Sequence, residues 1–207
     1  MYVNEKSKRL TASNFGLVVK RRDTTSPRCL LNRLLSCRKF RSPAMSYGTE
    51  KESVARSRFE REYDLVVSPA GLFIDLKYGF LGASPDGLVG SECIIEIKCL
   101  YGVHKAGQSL EEAVINKKDM CLEIVDNGMR LKRNHNYFYQ IQGQLNICGK
   151  KRCYLIIYIN DKEPLFVEII ERDENIWESN ILPKLISFYK SHMLPEIINR
   201  TVSNVRT

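Results

Sequence analysis

Apolar residues recur along this chain with two periods, and the periods divide it into elements. Gly48 to Tyr63 repeats every fourth residue, with Ala55, Phe59 and Tyr63 on one face and Glu52 one turn earlier on that stripe, which predicts an amphipathic helix. His135 to Cys148 predicts another, with Phe138, Ile141, Leu145 and Cys148 forming its apolar stripe. A first helix is expected over Thr11–Lys20, capped by Thr11 or Ser13, and a closing one over Asp173–Lys190, capped by Asp173 and interrupted at Pro183. Short β-rich runs predict strands at Leu65–Val67, Leu72–Leu76, Leu81–Ser84, Cys93–Cys99, Arg152–Ile159 and Leu165–Glu171, the last two separated by the turn Asn160-Asp161-Lys162. Arg21 to Pro43 is polar and broken by Pro27 and Pro43, and 105–133 reads as a helix plus a loop. Helix, strands, helix, strands, helix describes an α/β protein with a mixed sheet covered by helices.

Length and composition narrow this to an ordinary globular chain. The 207 residues suit a single domain, and 43% apolar with 27% charged residues excludes wholesale disorder and fibrous repeats. No apolar run reaches the ~18 residues of a membrane helix, and the charged start MYVNEKSKRL shows no secretory signal, so no membrane partner is expected. Seven cysteines without a CxxC pair or zinc spacing read as reduced thiols of an intracellular protein, the nucleus being one compartment open to it. Charge is uneven: residues 1–41 hold 11 basic and two acidic side chains, so this segment carries +9 of a net +8 and the rest sums to −1. A basic block that includes Lys20, Arg21 and Arg22 is the footprint of a polyanion partner such as DNA; a solvated basic tail gives the same count.

The chemistry concentrates in Ser84-Pro85-Asp86-Gly87-Leu88-Val89-Gly90-Ser91-Glu92-Cys93-Ile94-Ile95-Glu96-Ile97-Lys98. In a strand, Glu96 and Lys98 point one way while Ile95, Ile97 and Cys99 point the other. If Gly90-Ser91-Glu92 is a three-residue hairpin loop, Val89 pairs with Cys93, Leu88 with Ile94, and Asp86 falls opposite Glu96. Directly opposed residues have β-carbons about 4.5–5.5 Å apart, so two carboxylates there repel unless a cation sits between them. Oxygen ligands of this kind suit Mg²⁺, which polarises a phosphoryl oxygen and acidifies a bound water. Lys98 on the same face then orients or deprotonates the attacking water, or stabilises the developing negative charge. Removing either carboxylate is expected to leave the metal-free protein at least as stable. The competing reading of a D…ExK pattern is an exposed charge cluster that Lys98 neutralises.

SPDGLV followed by EIK, with ten residues from Asp86 to Glu96, closely resembles the PD-(D/E)xK nucleases, and within them the YqaJ-type viral recombinase family that includes the lambda-type 5′→3′ exonuclease. LTASNFG (Leu10–Gly16) resembles the family's N-terminal ITAS segment, YGTEKESVA (Tyr47–Ala55) its G-x-x-x-E helix, and YQIQGQL (Tyr139–Leu145) its Q-x-Q helix. FVEIIERDENIW (Phe166–Trp177) with ILPKLISFY resembles its closing strand and helix. The matches span about residues 9–195 in family order, which implies one nuclease domain over 1–207 with the restriction-endonuclease-like fold.

By that resemblance Asp86, Glu96 and the backbone carbonyl of Ile97 bind catalytic Mg²⁺ or Mn²⁺, Glu52 completes the metal site, and Lys98 is the catalytic lysine. Ser13, Ser84 and Gln140 match positions that contact the 5′-terminal phosphate. Gln142 lies about 200° around the helix from Gln140 and is assigned to packing or to the DNA side. Asp75 is an additional candidate for a second metal. The family's upstream basic residue has only Lys6 or Arg9 to match it, and Leu100 stands where the family commonly has proline. His104, His135 and His192 lack metal-ligand spacing, and Trp177, Tyr137 and Phe138 read as packing aromatics, with Tyr137 or Tyr139 near DNA as the alternative. The implied activity is a 5′→3′ exonuclease of recombination or repair acting on duplex DNA with free ends. An inactive copy kept as a DNA-binding module and an endonuclease on the same fold are the alternatives. Because the lambda-type enzyme encircles DNA as a trimer, a homo-oligomer is implied by the resemblance alone.

Overall fold

The computed structural model describes residues 9–35 and 41–205; Lys6, Lys8, Arg38 and Lys39 of the basic segment lie outside them. Strand β1 (Leu10–Thr11) leads through a 3-10 turn at Ala12–Asn14 into helix α1 (Phe15–Val19), in place of the one helix expected over Thr11–Lys20. Parallel pairing of Leu10 and Thr11 with Leu81 and Gly82 keeps Thr11 extended, and no side chain caps the turns that follow. Helix α2 (Arg28–Leu35) occupies part of the Pro-punctuated stretch. Helix α3 (Pro43–Tyr63) starts ahead of the expected Gly48. Ser42 accepts from the Met45 N–H, and Pro43 sits in the first turn, where its missing N–H has no partner to lose.

Strands β2 (Phe73–Ile74) and β3 (Leu81–Ala83) join β1 in a sheet ordered β1-β3-β2. The strand expected at Leu65–Val67 is a loop whose Leu65 and Val67 pack on the α3 face of the central sheet, followed by an isolated bridge between Ser68 and Leu88. Strands β4 (Gly87–Val89) and β5 (Cys93–Cys99) form the predicted hairpin, its turn eased by Gly90 at φ 57°. The stretch read as helix plus loop holds helices α4 (Tyr101–Ala106) and α5 (Leu110–Asn116), then a hairpin of β6 (Leu122–Val125) and β7 (Gly128–Leu131). Helix α6 (Asn136–Cys148) and strands β8 (Arg152–Tyr158) and β9 (Phe166–Glu171) follow as expected. The central sheet is ordered β4-β5-β8-β9, with β5 and β8 parallel and its other neighbours antiparallel.

The chain closes with α7 (Glu174–Ile176), α8 (Leu182–Phe188) and α9 (Leu194–Val205), joined by π turns at Trp177–Ile181 and Tyr189–Met193. Asp173 caps this run as predicted, accepting from the Ile176 N–H at 2.9 Å. Pro183 and Pro195 do not end it. Each stands in the first turn after a π turn, whose wider winding leaves room for a residue that cannot donate.

Two helices sandwich the central sheet. Phe138, Ile141 and Leu145 of α6 pack on the Ile94, Leu155 and Ile157 face, while Tyr47, Ala55 and Phe59 of α3 pack on the Ile95, Ile97, Ile156 and Tyr158 face. The back of α6 meets a third cluster, built from Leu10, Phe15, Leu81, Trp177 and Leu185. Contact there is close enough to require glycine on both sides. A Cβ on Gly16 would lie 2.6 Å from the Asn136 Cα, and one on Gly143 2.3 Å from the Phe15 ring. Helix α6 is therefore buried all round, and Gln140, Gln142 and Gln144 are buried with it.

Candidate active site

Ser84-Pro85-Asp86 carries the chain from β3 in one sheet to β4 in the next. Gly87 pairs with Ile95, Leu88 with Ile94 and Val89 with Cys93, the register that sets Asp86 opposite Glu96. Asp86 donates its N–H to the Ile95 carbonyl at 3.1 Å, and its Oδ2 accepts from the Ile97 N–H at 2.7 Å. The face of β5 that bears Glu96 and Lys98 is covered by α6, and Glu96 is only 2% exposed, which excludes a solvated charge cluster.

Glu96 is held by three donors. Lys98 Nζ reaches its Oε1 at 2.6 Å, Gln140 Nε2 the same oxygen at 2.5 Å, and Gln144 Nε2 its Oε2 at 2.7 Å. Lys98 also donates to Gln140 Oε1 at 3.3 Å and lies 4.5 Å from the Tyr137 ring centroid. Burial works against the Lys98 ammonium, but Glu96, hydrogen-bonded to it, raises its pKa above the ordinary lysine value. Lys98 is therefore a cation in this arrangement. Stabilising negative charge suits it, and deprotonating water does not.

Asp86 is poorer in partners. Burial first, and then the charge of Glu96, push its carboxyl up to about 8 despite the Ile97 N–H, with Glu52 adding to the rise and Lys98 opposing it. Two buried acids facing one lysine leave the site short of positive charge, and their donors are hard oxygens, so the residues present fit a divalent Mg²⁺ or Mn²⁺ ion. Glu52 bears electrostatically on Asp86 from α3, where Arg56 bridges the two. The Arg56 guanidinium donates to Glu52 Oε1 at 3.0 Å and to the Asp86 carbonyl at 2.9 Å. Among the described residues no three acidic, histidine or cysteine side chains are gathered closely enough to cage an ion as they stand.

The remaining expected residues divide. Gln142 is a packing residue, donating to the Glu171 carbonyl and accepting from the Asp173 N–H, each at 2.8 Å. Ser84 Oγ donates to the Gly71 carbonyl at 3.3 Å, while Ser13 is exposed beside Thr11 Oγ1 at 3.3 Å. Asp75 is not at the site: its Oδ1 accepts from the Lys77 and Tyr78 N–H groups in the turn before β3. Of the basic triplet, Arg21 is committed to its own loop, donating to the carbonyls of Arg22 and Thr25 and lying 5.8 Å from the Phe188 ring, whereas Lys20 and Arg22 are exposed. His104 stacks on Tyr47 and His192 meets the Phe188 edge. Sequence reasoning missed Gln144 and Arg56. Spacing carried both signals, since Gln144 lies four residues from Gln140 and Arg56 four from Glu52.

An acid from the end of one strand, a second acid and a lysine on the next, and helices over both faces of a mixed sheet define a nuclease of the restriction-endonuclease-like fold. The chain belongs to the family of YqaJ-like viral recombinase domains, whose model matches residues 1–151, and is a nuclease that hydrolyses phosphodiester bonds. No curated protein matches it. Among solved structures it is similar to an alkaline exonuclease (LHK-Exo) from Laribacter hongkongensis, at 25% identity and TM-score 0.70 over 99% of this chain and 97% of that one. A phage related exonuclease from Haemophilus somnus 129PT aligns at 14% identity and TM-score 0.61 over 93% and 96% of the two chains. SOX, in a SOX–DNA complex, aligns at 12% identity and TM-score 0.62 over 90% and 65%. At such identities the last two speak for the fold alone. Of the described helices none is long and apolar enough to cross a membrane, and none of the described cysteines is paired.

Proposed function

We propose that the chain is one nuclease domain over 1–207 that digests duplex DNA from free 5′ ends, with Mg²⁺ or Mn²⁺ held by Asp86, Glu96 and the Ile97 carbonyl and completed by Glu52. The carrying observation is the buried Asp86–Glu96 pair with Lys98 hydrogen-bonded beside it. When bound, the ion supplies Lewis-acid polarisation of the phosphoryl oxygen and a more acidic water. Lys98 stabilises the charge that develops on the phosphoryl group, and Gln140 fixes Lys98 and Glu96 relative to each other. Ser13 and Ser84, with Gln140, are the donors proposed for the 5′-terminal phosphate. Support for DNA as substrate comes from membership of the viral recombinase family and from the likeness to LHK-Exo, an alkaline exonuclease also solved in complex with dAMP.

End-labelled duplex, incubated with Mg²⁺ or with EDTA, tests this directly. Mononucleotide release only with the metal, faster from 5′-phosphorylated than from 5′-hydroxyl ends, is the expected result. Cleavage of closed circular duplex would move the assignment to an endonuclease, and full activity in EDTA would remove the metal. The same digestion by Asp86→Ala protein should fail. The intact set Glu52, Asp86, Glu96 and Lys98 stands against an inactive DNA-binding copy.

A further inference from the structure

His135 has no part in the proposed chemistry, yet the fold brings it to the same face. Its Nδ1 accepts from the Tyr137 N–H at 3.2 Å and so caps α6. With Nδ1 used as an acceptor, the neutral ring carries its hydrogen on Nε2, a donor that the cap does not use. The Tyr137 ring meets the His135 ring edge-on at 4.5 Å between centroids, and its centroid lies 4.5 Å from Lys98 Nζ. Lys98, Tyr137 and His135 thus form a continuous strip leading away from the carboxylates.

Cations from three other elements bear on that histidine. Lys20 follows α1, which the absence of a side chain at Gly16 allows to lie directly on Asn136. Lys132 follows β7 in the turn where the His135 N–H donates to its carbonyl at 2.9 Å, and its ammonium is steadied by the Lys118 carbonyl at 3.0 Å. Lys98 comes from β5. Burial first, and then the charges of Lys20, Lys132 and Lys98, lower its pKa below the ordinary histidine value, Lys98 being itself paired with Glu96. A ring donor beside Lys20 and Lys132, on the strip that Tyr137 continues to Lys98, suits an anion. The strip to Lys98 fixes which anion the nuclease reading supplies.

We propose that His135, with Lys20 and Lys132, grips the backbone phosphate next to the one being hydrolysed, so that the processed strand runs from Lys98 across Tyr137 to the start of α6. This inference rests on the nuclease reading and adds a substrate contact to it. Aspartate and asparagine both cap helices well, so His135→Asp and His135→Asn retain the cap while reversing or removing the phosphate contact. Binding of a fluorescent 5′-phosphorylated duplex in EDTA, at several salt concentrations, is measured beside each melting temperature. His135→Asp should keep the parental melting temperature, bind roughly tenfold or more weakly, and flatten the plot of log affinity against log salt by about 0.9. His135→Asn should fall between it and the parent, and with Mg²⁺ the loss should appear in KM rather than kcat. Parental affinity and slope in His135→Asp would overturn the proposal. So would weaker binding matched by an equal loss of melting temperature in both variants, which is the signature of a cap alone. A parent that binds no duplex would instead sink the nuclease reading itself.

Discussion

Asp86→Asn separates the cost of the site from its use. The carboxyl has an ordinary value of 3.8 and stands at about 8 in the folded, metal-free protein, raised by burial and then by Glu96. The folded state therefore keeps a proton that the unfolded chain releases, so this group's contribution is whole below about pH 4 and is lost as pH rises through about 8. Each pH unit inside that window removes about 1.4 kcal/mol, giving about 3 kcal/mol between pH 5 and 7 and at most about 4 kcal/mol in all at pH 7. For a domain of this size that is roughly 5–10 °C in melting temperature over the two units. Asparagine keeps an acceptor for the Ile97 N–H and removes the charge. In EDTA, Asp86→Asn should approach the parent only near pH 4 and below, exceed it by about 1.5 kcal/mol at pH 5 and by about 4 kcal/mol at pH 7, while losing nuclease activity at every pH. Saturating Mg²⁺ should close the gap from the parent's side, by about 2.7 kcal/mol at a hundredfold excess over Kd, and leave the variant nearly unmoved. Parallel melting curves against pH for the two proteins, or a variant less stable than the parent at pH 7 in EDTA, would refute the account of Asp86.

The other carboxylate should behave oppositely. Glu96→Ala leaves the buried Lys98, Gln140 and Gln144 donors without their acceptor, so thermal melting should show a loss of about 3–5 kcal/mol, against the sequence expectation that either acid can be removed without cost. Gln144→Leu removes the 2.7 Å bond to Glu96 Oε2 and should reduce metal affinity or activity by roughly 10–100-fold, read from an Mg²⁺ titration of cleavage rate; an unchanged titration would make Gln144 a packing residue only. Gly143→Ala drives a Cβ to 2.3 Å from the Phe15 ring and should cost about 1–3 kcal/mol in denaturant unfolding, with part of it recovered in a Phe15→Leu background.

What the sequence shows plainly is what local rules decide. The β4–β5 register follows from a three-residue turn and a period of two, and it alone places Asp86 against Glu96. Helix α6 and the Asp173 cap are equally legible, because periodicity and capping act within one turn. Expectations fail where distant partners decide. Thr11 becomes strand because Leu81 and Gly82 lie beside it, and Leu65–Val67 becomes loop because no full strand pairs with it. The β6–β7 hairpin was readable from Asp126-Asn127-Gly128 between alternating residues, with Gly128 at φ 121°, but the charges around it look like loop. At the site, the acids and lysine are legible and their partners less so. A glutamine stripe on a helix names no target until the helix is laid across the sheet.

That docking explains why α6 carries three buried glutamines, which an apolar helix would otherwise exclude. Gln142 ties the helix to the Glu171 carbonyl and the Asp173 N–H where β9 turns into α7, so it fixes the helix in place. Gln140 and Gln144, on the opposite side, satisfy both oxygens of Glu96 and hold it as a fixed carboxylate. Asp86 receives no such help from α6. It has one N–H from Ile97 and, nearby, a guanidinium that Glu52 shares. The shortage of positive charge is therefore concentrated on the α3 side of the pair, between Asp86 and Glu52, rather than beneath α6, where Lys98 already stands. Under the proposed reading, Asp86 and Glu52 would hold an ion on that side, where it would relieve the shortage of positive charge, and Glu52 would have to be shared between the ion and Arg56. The fold thus prepares its two acids differently: Glu96 is pinned in the core, positioning Lys98 and keeping its oxygens aimed at the proposed ion, and Asp86 is left wanting that cation.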